Sequence, residues 1–400
     1  MSRTPPSSQS IHDDLAARLR QQMVESLLQA GALQAPALAQ AFLRIPREAF
    51  VPYFYEQEAT SPTMVWKLVC ADEVCPEDYL AAVYRNQGLV TKIDARHWPV
   101  SSSSQPAVMA KMLEALDVQP GHRVLEIGTG SGYNAALLAT LTGEASQVVT
   151  IERDAELAAT ARNALERVLG PGVTVIVGDG IMGWQPGAPY DHIIATASAA
   201  TLPLAWVEQL RSGGTLVMDL QGTLASGFLV VEKTATGVSG HFLQEPLHFM
   251  PLETEVIRVP QTNLTSLLQQ GCQATFLLEH DAVFPETLFN PAFRWFVQWC
   301  LPGCQVSRRK QLQRDTTSAI HSILVIEPRS QALVRFQRHQ EEVGWRGEVY
   351  GSAQIWQELQ LAYETFHALG EPGQQRYQFV AEQEGPALII GSLKLPLSRT

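Results

Sequence analysis

The run Val124-Leu125-Glu126-Ile127-Gly128-Thr129-Gly130-Ser131-Gly132-Tyr133 constrains this chain more than any other stretch. It reads as an apolar strand with one acid near its end, a turn of alternating glycines, and a helix start. Glycine adopts positive φ without steric penalty and lets backbone approach a ligand closely. Such a turn suits a nucleoside cofactor held beyond the carboxyl end of a parallel strand. The surrounding pattern agrees. Strands are expected at 123–127, 147–151, 173–177, 191–196 and 215–220, and helices at 106–117, 133–141, 154–168 and 202–210. Strand and helix alternating at this pitch make βαβ units and a parallel sheet. Gly213-Gly214 reads as the turn into the 215–220 strand, and a further strand is expected over 228–232.

The flanks divide the chain further. Residues 1–10 are polar with two prolines and are expected to form a disordered tail. They lack the basic and apolar regions of a secretory signal. Ile11, Leu15, Leu19, Met23 and Leu27 fall at helical spacing, and Gly31 ends that helix. A short helix over 37–44 stops at Ile45-Pro46. Residues 55–100 mix Pro, Cys, Trp and charge without a clear period. The segment 11–105 is therefore read as N-terminal helices plus an insertion, packing on a doubly wound domain over 106–254. Beyond 255 the pattern changes to strands at 322–326, 332–336, 377–381 and 387–390 around an amphipathic helix over 354–369. This is a second, α+β domain spanning 255–400.

With 400 residues, 46% hydrophobic and 17% charged, the chain can bury sizeable cores. Its net charge of −11 argues against a nucleic-acid partner, tRNA included. Five cysteines, spaced C-x4-C at Cys70 and Cys75 and C-x3-C at Cys300 and Cys304, with Cys272 alone, suit a reducing cytoplasm better than a disulfide framework. No metal site is expected from this spacing. No apolar stretch approaches the length of a membrane span.

Two cofactors compete for the glycine loop. A nicotinamide dinucleotide wants G-x-G-x-x-G, whereas the spacing here is G-x-G-x-G, with Glu126 two residues ahead. Glu152 ends the second strand, where a carboxylate can bind both ribose hydroxyls. Asp179-Gly180 follows the third, where an acid can reach an adenine amino group. Helix N-termini favour anions, so a pyrophosphate would prefer a turn without these acids. Three acids suit a cationic, phosphate-free ligand, and S-adenosylmethionine is such a ligand. The plainer reading is that Glu152 and Asp179 cap the helices that follow them.

The residues also resemble a family. Arg20-Gln21-Gln22-Met23-Val24, Ile45-Pro46-Arg47-Glu48-Ala49-Phe50-Val51-Pro52, Ser104-Gln105-Pro106, the glycine loop, Gly178-Asp179-Gly180 and Phe249-Met250-Pro251-Leu252 resemble protein-L-isoaspartate O-methyltransferases over 13–254. The serine run Ser101-Ser102-Ser103-Ser104, the segment before it, and Gly344-Trp345, Gly351-Ser352-Ala353-Gln354-Ile355-Trp356 and Gly370-Glu371-Pro372-Gly373 resemble the FxLD-system branch, associated with clusters making ribosomal peptides such as lanthipeptides. The resemblance implies a Rossmann-like fold that binds S-adenosylmethionine and methylates an aspartate-type carboxylate. It implies Ser104 as the active-site serine, and cofactor contacts at Gly128, Gly130, Glu152, Asp179 and Gly180; the reading of the loop itself adds Glu126, Thr129 and Gly132 as expected contacts. The family's glycine- and histidine-containing lead-in to that serine is replaced by Asp94-Ala95-Arg96-His97-Trp98-Pro99-Val100.

A carboxylate acceptor has an unperturbed pKa near 4 and is already ionised at neutral pH. No general base is then required, and none stands out near the loop. Three functions follow as expectations: methylation of a modified ribosomal peptide, with a leader peptide or biosynthetic enzyme as partner; general isoaspartate repair; or an inactive binding module. Ser104 is expected either to hold the acceptor or to cap the helix at Pro106, Ser101 to Ser103 to form a flexible hinge over the cofactor, and His97 and Trp98 either to line the acceptor groove or to belong to a surface loop.

Overall fold

The computed structural model describes residues 8–58, 65–252, 262–278, 284–312, 319–339 and 344–397. The chain divides into two compact units. One comprises Met1–Ser198, Pro203–Met218 and Val230–Ala235; the other comprises Ala199–Leu202, Asp219–Leu229 and Thr236–Thr400.

The first unit begins with α1 (Ser8–Gln29) and α2 (Pro36–Arg44). Helix α1 starts three residues before the apolar period does, so residues 8–10 are helical rather than part of a tail. The first turn of a helix tolerates polar residues because its backbone N–H groups need no intrahelical partner. The rest of the expected tail, residues 1–7, lies outside the described residues. Met23, Leu27, Leu38 and Phe42 bury one face of each helix.

Next comes a four-stranded antiparallel sheet that the sequence pattern did not disclose: β1 (Tyr53–Gln57), β2 (Trp66–Cys70), β3 (Leu89–Ile93) and β4 (Pro99–Ser103), in the order β2-β1-β3-β4. Helix α3 (Pro76–Val83) lies between β2 and β3 in sequence. Three of the four serines form β4, an edge strand whose register with β3 pairs Val90 with Ser102 and Lys92 with Ser101.

The doubly wound part follows: α4 (Pro106–Leu116), β5 (Val124–Ile127), α5 (Tyr133–Thr142), β6 (Val148–Glu152), α6 (Ala155–Leu169), β7 (Thr174–Val177), β8 (Tyr190–Ala199), α7 (Leu204–Gln209), β9 (Leu210–Gln221) and β10 (Ser226–Lys233). Their order is β7-β6-β5-β8-β9-β10. Strand β5 is parallel to both β6 and β8. All four β5 side chains are buried, as a central parallel strand covered on both faces requires. The chain leaves β5 toward β6 and β7 and returns to its other side as β8. This is a topological switch point, where α/β sheets bind ligands. Gly213-Gly214 is not a turn before a strand. Both lie inside β9, where a side chain on Gly214 would meet the Asp191 carbonyl at 2.8 Å. Residues 219–221 of β9 and 226–229 of β10 belong to the second unit.

The second unit is α+β. Strand β11 (Val238–Phe242) pairs antiparallel with β17 (Gln378–Glu382), which continues through β18 (Gly385–Ile390) to β19 (Leu393–Pro396). A five-stranded antiparallel sheet is built from β12 (Ala274–Leu278), β13 (Gln305–Leu312), β14 (Ala319–Glu327), β15 (Ala332–His339) and β16 (Trp345–Tyr350), in the order β12-β16-β15-β14-β13. Helices α8 (Leu264–Gln269), α9 (Phe284–Thr287), α10 (Pro291–Cys300) and α11 (Gln354–Ala368) accompany them. Aromatic side chains make its core: Phe276 stacks on Trp356 at 4.1 Å, and Phe284, Phe293, Phe336 and Phe366 meet edge to face around them. The expected domain boundary at 254/255 lies outside the described residues. Among the described residues no helix is long and apolar enough to cross a membrane.

Candidate functional site

The glycine loop connects β5 to α5 at the switch point. Gly128, Gly130 and Gly132 all have positive φ, at 96°, 51° and 84°. Each is also packed closely. A side chain on Gly128 would meet Thr196 Oγ1 at 2.9 Å, and one on Gly132 would meet Ala161 of α6 at 3.2 Å. The Gly128 and Thr129 N–H groups donate to the Ile151 carbonyl at 2.9 and 3.1 Å, which ties the loop to the end of β6. From β8, the Thr196 hydroxyl donates to the Gly128 carbonyl at 2.6 Å. Thr196 thus reaches the same edge of the sheet.

Glu152 and Asp179 stand half-buried at adjacent strand ends. The Glu152 carboxylate accepts from the Gly130 N–H at 2.9 Å through Oε2 and from the Asp154 N–H at 3.0 Å through Oε1. The Gly178 N–H donates to the Glu152 carbonyl at 3.0 Å and brings Asp179-Gly180 alongside. Capping is divided differently from the plainer reading. Asp154, not Glu152, caps α6, accepting from the Glu156 and Leu157 N–H groups at 3.0 Å. Asp179 does cap the short 3-10 turn Gly180–Met182, accepting from Ile181 N–H at 3.1 Å. The Gly180 carbonyl is held by Trp206 Nε1 at 2.8 Å.

Glu126 occupies a different place. Its side chain is fully buried behind the loop, and both oxygens are engaged by the protein. Asn134 Nδ2 donates to Oε1 at 2.8 Å, and Thr150 Oγ1 donates to Oε2 at 2.6 Å. Because Thr150 has one hydroxyl proton, the 2.7 Å contact with Thr129 is donated by Thr129. A chain Thr129 to Thr150 to Glu126 therefore pins the loop from inside. The expectation that the Glu126 carboxylate faces a ligand is corrected to this supporting role: an acid on a central strand buried on both faces points into the core. Burial pushes the Glu126 carboxyl up to about 7; the Thr150 and Asn134 bonds oppose that rise, and nearby Glu152 adds to it.

The serine run lies against this loop. A side chain on Gly130 would meet the Ser102 carbonyl at 3.4 Å and Ser101 Oγ at 3.8 Å. Ser101 and Ser103 are buried, and Thr91 Oγ1 donates to Ser101 Oγ at 3.1 Å. These residues form a paired strand, not a hinge. Ser104 does not cap α4: Gln105 holds the N-cap position, without a side-chain bond, and Pro106 follows. Lys92, opposite Ser101, reaches Asp154 at 2.6 Å and joins the serine sheet to the start of α6. That hydrogen bond holds the Lys92 pKa above and the Asp154 pKa below their ordinary values. His97 sits at φ 64° in the β3–β4 turn, its carbonyl accepting from Trp66 Nε1 at 2.7 Å, while Trp98 is 56% exposed. Both belong to a surface turn.

Sequence reasoning missed several residues. Asn134 and Thr150 carry no signal beyond their distance from the loop. Arg47 is fully buried at the end of β4 and was visible only as one member of a motif. Its Nη1 donates to the Val83 and Arg85 carbonyls at 2.7 and 3.1 Å. Its Nη2 donates to the carbonyls of Gln87, Ser103 and Ser104 at 3.0, 3.3 and 3.0 Å.

Comparison with known proteins follows the same lines. The family model described as protein-L-isoaspartate(D-aspartate) O-methyltransferase matches residues 65–256. A protein-L-isoaspartate O-methyltransferase of Ignicoccus hospitalis is 33% identical over 241 residues, which is 59% of this chain and 98% of that protein. One of Methanopyrus kandleri is 36% identical over 226 residues, 56% of this chain and 87% of its own length. A solved protein-L-isoaspartate O-methyltransferase structure superposes with a TM-score of 0.54 at 22% identity, covering 94% of this chain and all of that one, which shows a shared fold.

Proposed function

The chain belongs to the protein-L-isoaspartate O-methyltransferase family, and from that membership we propose that it methylates an aspartyl or isoaspartyl carboxylate on a modified ribosomal peptide. It is an S-adenosylmethionine-dependent methyltransferase with a Rossmann-like fold. The residues at the switch point fit that cofactor. Glu152 offers a half-exposed carboxylate at the end of β6 for ribose hydroxyls, and Asp179 one beside β7 for the adenine amino group. Gly128, Gly130, Gly132 and Gly180 let backbone approach it. When bound, S-adenosylmethionine supplies an electrophilic methyl group on a sulfonium.

The observation that carries the reading is the contact of the serine run with the same loop: Ser101 and Ser102 abut Gly130, whose N–H is held by Glu152. Ser104, next along the chain, is the residue assigned to hold the acceptor carboxylate through its hydroxyl. That carboxylate is ionised at neutral pH, so the protein needs to align it rather than deprotonate it. Alignment alone can supply a large part of a rate enhancement. Once esterified, the side chain is open to attack by the next backbone amide nitrogen, which loses its proton, expels methanol and closes a succinimide.

Two features support a peptide rather than damaged protein as substrate. One is the replacement of the family's lead-in by residues 94–100. The other is the resemblance of residues 344–373 to the FxLD-system branch. The cytoplasm and a leader-peptide or biosynthetic-enzyme partner go with that reading. Incubation with methyl-labelled cofactor and three acceptors tests it: an isoaspartyl peptide, a lanthipeptide-type modified ribosomal peptide bearing an aspartate, and an unmodified aspartyl peptide. Base-labile label on the modified peptide is expected. Turnover on unrelated isoaspartyl peptides alone would assign general repair instead, and label on none would defeat both.

A further inference from the structure

Arg47 is a buried cation with an unusual set of partners. All three guanidinium nitrogens are engaged: Nε lies 3.4 Å from Ser103 Oγ, and the two terminal nitrogens reach five carbonyls. Those carbonyls come from two segments, 83–87 at the end of α3 and 103–104 at the end of β4. Among the described residues no carboxylate pairs with it. The Tyr133 ring lies 6.0 Å from its Cζ, and burial lowers its pKa to about 10, so it stays charged at neutral pH.

Carbonyls of a loop can be satisfied by water at the surface. Enclosing a charge to do the same work is costly unless the charge is itself needed. Here the charge lies behind the residue assigned to hold an anionic acceptor, and its counter-charge is missing. Within its planar fork, Nη2 shares two N–H groups among the Gln87, Ser103 and Ser104 carbonyls, and so fixes the direction in which the Ser104 hydroxyl is presented. Lysine, a point charge on a flexible stem, cannot reproduce that fork.

We propose that Arg47 is a positioning residue for the acceptor: it locks the turn from β4 into α4 and supplies the positive charge that an incoming carboxylate neutralises. The proposal rests on the assignment of Ser104 to the acceptor.

The test uses the full chain with Arg47→Lys, Arg47→Met and Ser103→Ala. Three quantities are read: affinity for S-adenosylhomocysteine by calorimetry, kcat and KM for the peptide acceptor, and amide hydrogen exchange over residues 101–105. Arg47→Lys is expected to leave S-adenosylhomocysteine affinity nearly unchanged, to raise the acceptor KM about tenfold, and to speed exchange over 101–105 while 124–130 and 148–152 stay protected. Arg47→Met should raise KM further, because the charge is gone as well. If Arg47→Met does not fold, Ser103→Ala takes its place, with faster exchange over 101–105 expected at unchanged cofactor affinity. An unchanged KM in Arg47→Lys, or lost cofactor affinity together with faster exchange across the whole unit, would overturn the proposal. Wild-type protein that methylates no carboxylate would instead remove the Ser104 assignment, and exchange over 101–105 would then decide whether Arg47 holds the strand at all.

Discussion

A buried acid stands behind the glycine loop, and a buried cation stands behind the serine strand. Glu126 and Arg47 are both fully enclosed, and each is held by hydrogen bonds rather than by an opposite charge. Burial drives both toward neutrality, but from different starting points. Glu126 is pushed up to about 7, and Arg47 down only to about 10. At neutral pH the arginine is charged and the glutamate is poised near its midpoint. The signs match the ligands assigned to each side, a sulfonium in front of the loop and a carboxylate in front of the strand. Two supports that look alike in a burial profile thus differ in chemistry, and each can be broken separately.

The largest expected effect is at Glu126. Glu126→Ala leaves Asn134 Nδ2 and Thr150 Oγ1 buried without their acceptor. Each such loss costs about 1–3 kcal/mol, and the urea midpoint of unfolding should fall accordingly. A midpoint within error of wild type would mean that the loop is not pinned from inside.

The same residue gives a pH dependence of known sign. Its folded pKa lies above the ordinary carboxyl value of 4.5, so the folded state binds more protons than the unfolded state between the two values. The contribution of Glu126 is therefore greatest near pH 4.5 and is lost as pH rises toward 7. A shift of this size corresponds to about 3 kcal/mol. Asp219, pushed by burial up to about 7, acts in the same direction. His192, which burial holds neutral down to about 4, acts in the opposite one. The difference in unfolding free energy between wild type and Glu126→Gln isolates the Glu126 part. It should slope across pH 5–7; a flat difference would deny the buried acid its role.

At the front of the loop effects should appear in binding. Glu152→Ala removes one or two hydrogen bonds between a charged group and ribose hydroxyls, about 1.5–3 kcal/mol each, read as weaker S-adenosylhomocysteine affinity by calorimetry. On the other side, Ser104→Ala removes a single bond to the acceptor, about 1.5–3 kcal/mol. That loss should appear in acceptor kcat/KM with cofactor affinity unchanged. Equal effects of both substitutions on both ligands would erase the division between the two sides.

The glycine loop and the strands around it were legible because β5 and its neighbours are buried on two faces and read as apolar runs between turn residues. Which carboxylates face outward was not legible. Glu126 and Glu152 look equivalent in sequence, and only the strand position, inside the sheet or at its end, separates them. The serine run could be recognised as a site but not as a strand, because serine carries little β preference and the pairing partner Val90 is local only in the fold. In the second unit, no strand was expected over β13, where Arg308, Arg309 and Lys310 follow one another. As an edge strand it is suited to carry such charges. Arg47 was hidden for the simplest reason: nothing in a charged residue's neighbours announces that it will be buried.

A crystal structure of the full chain with S-adenosylhomocysteine tests the central claim most directly. The account predicts the ribose hydroxyls on Glu152, the adenine beside Asp179, and the ligand's sulfur on the side of the loop that faces the serine strand. A ligand bound away from these strand ends, or with its sulfur turned from Ser104, would contradict it.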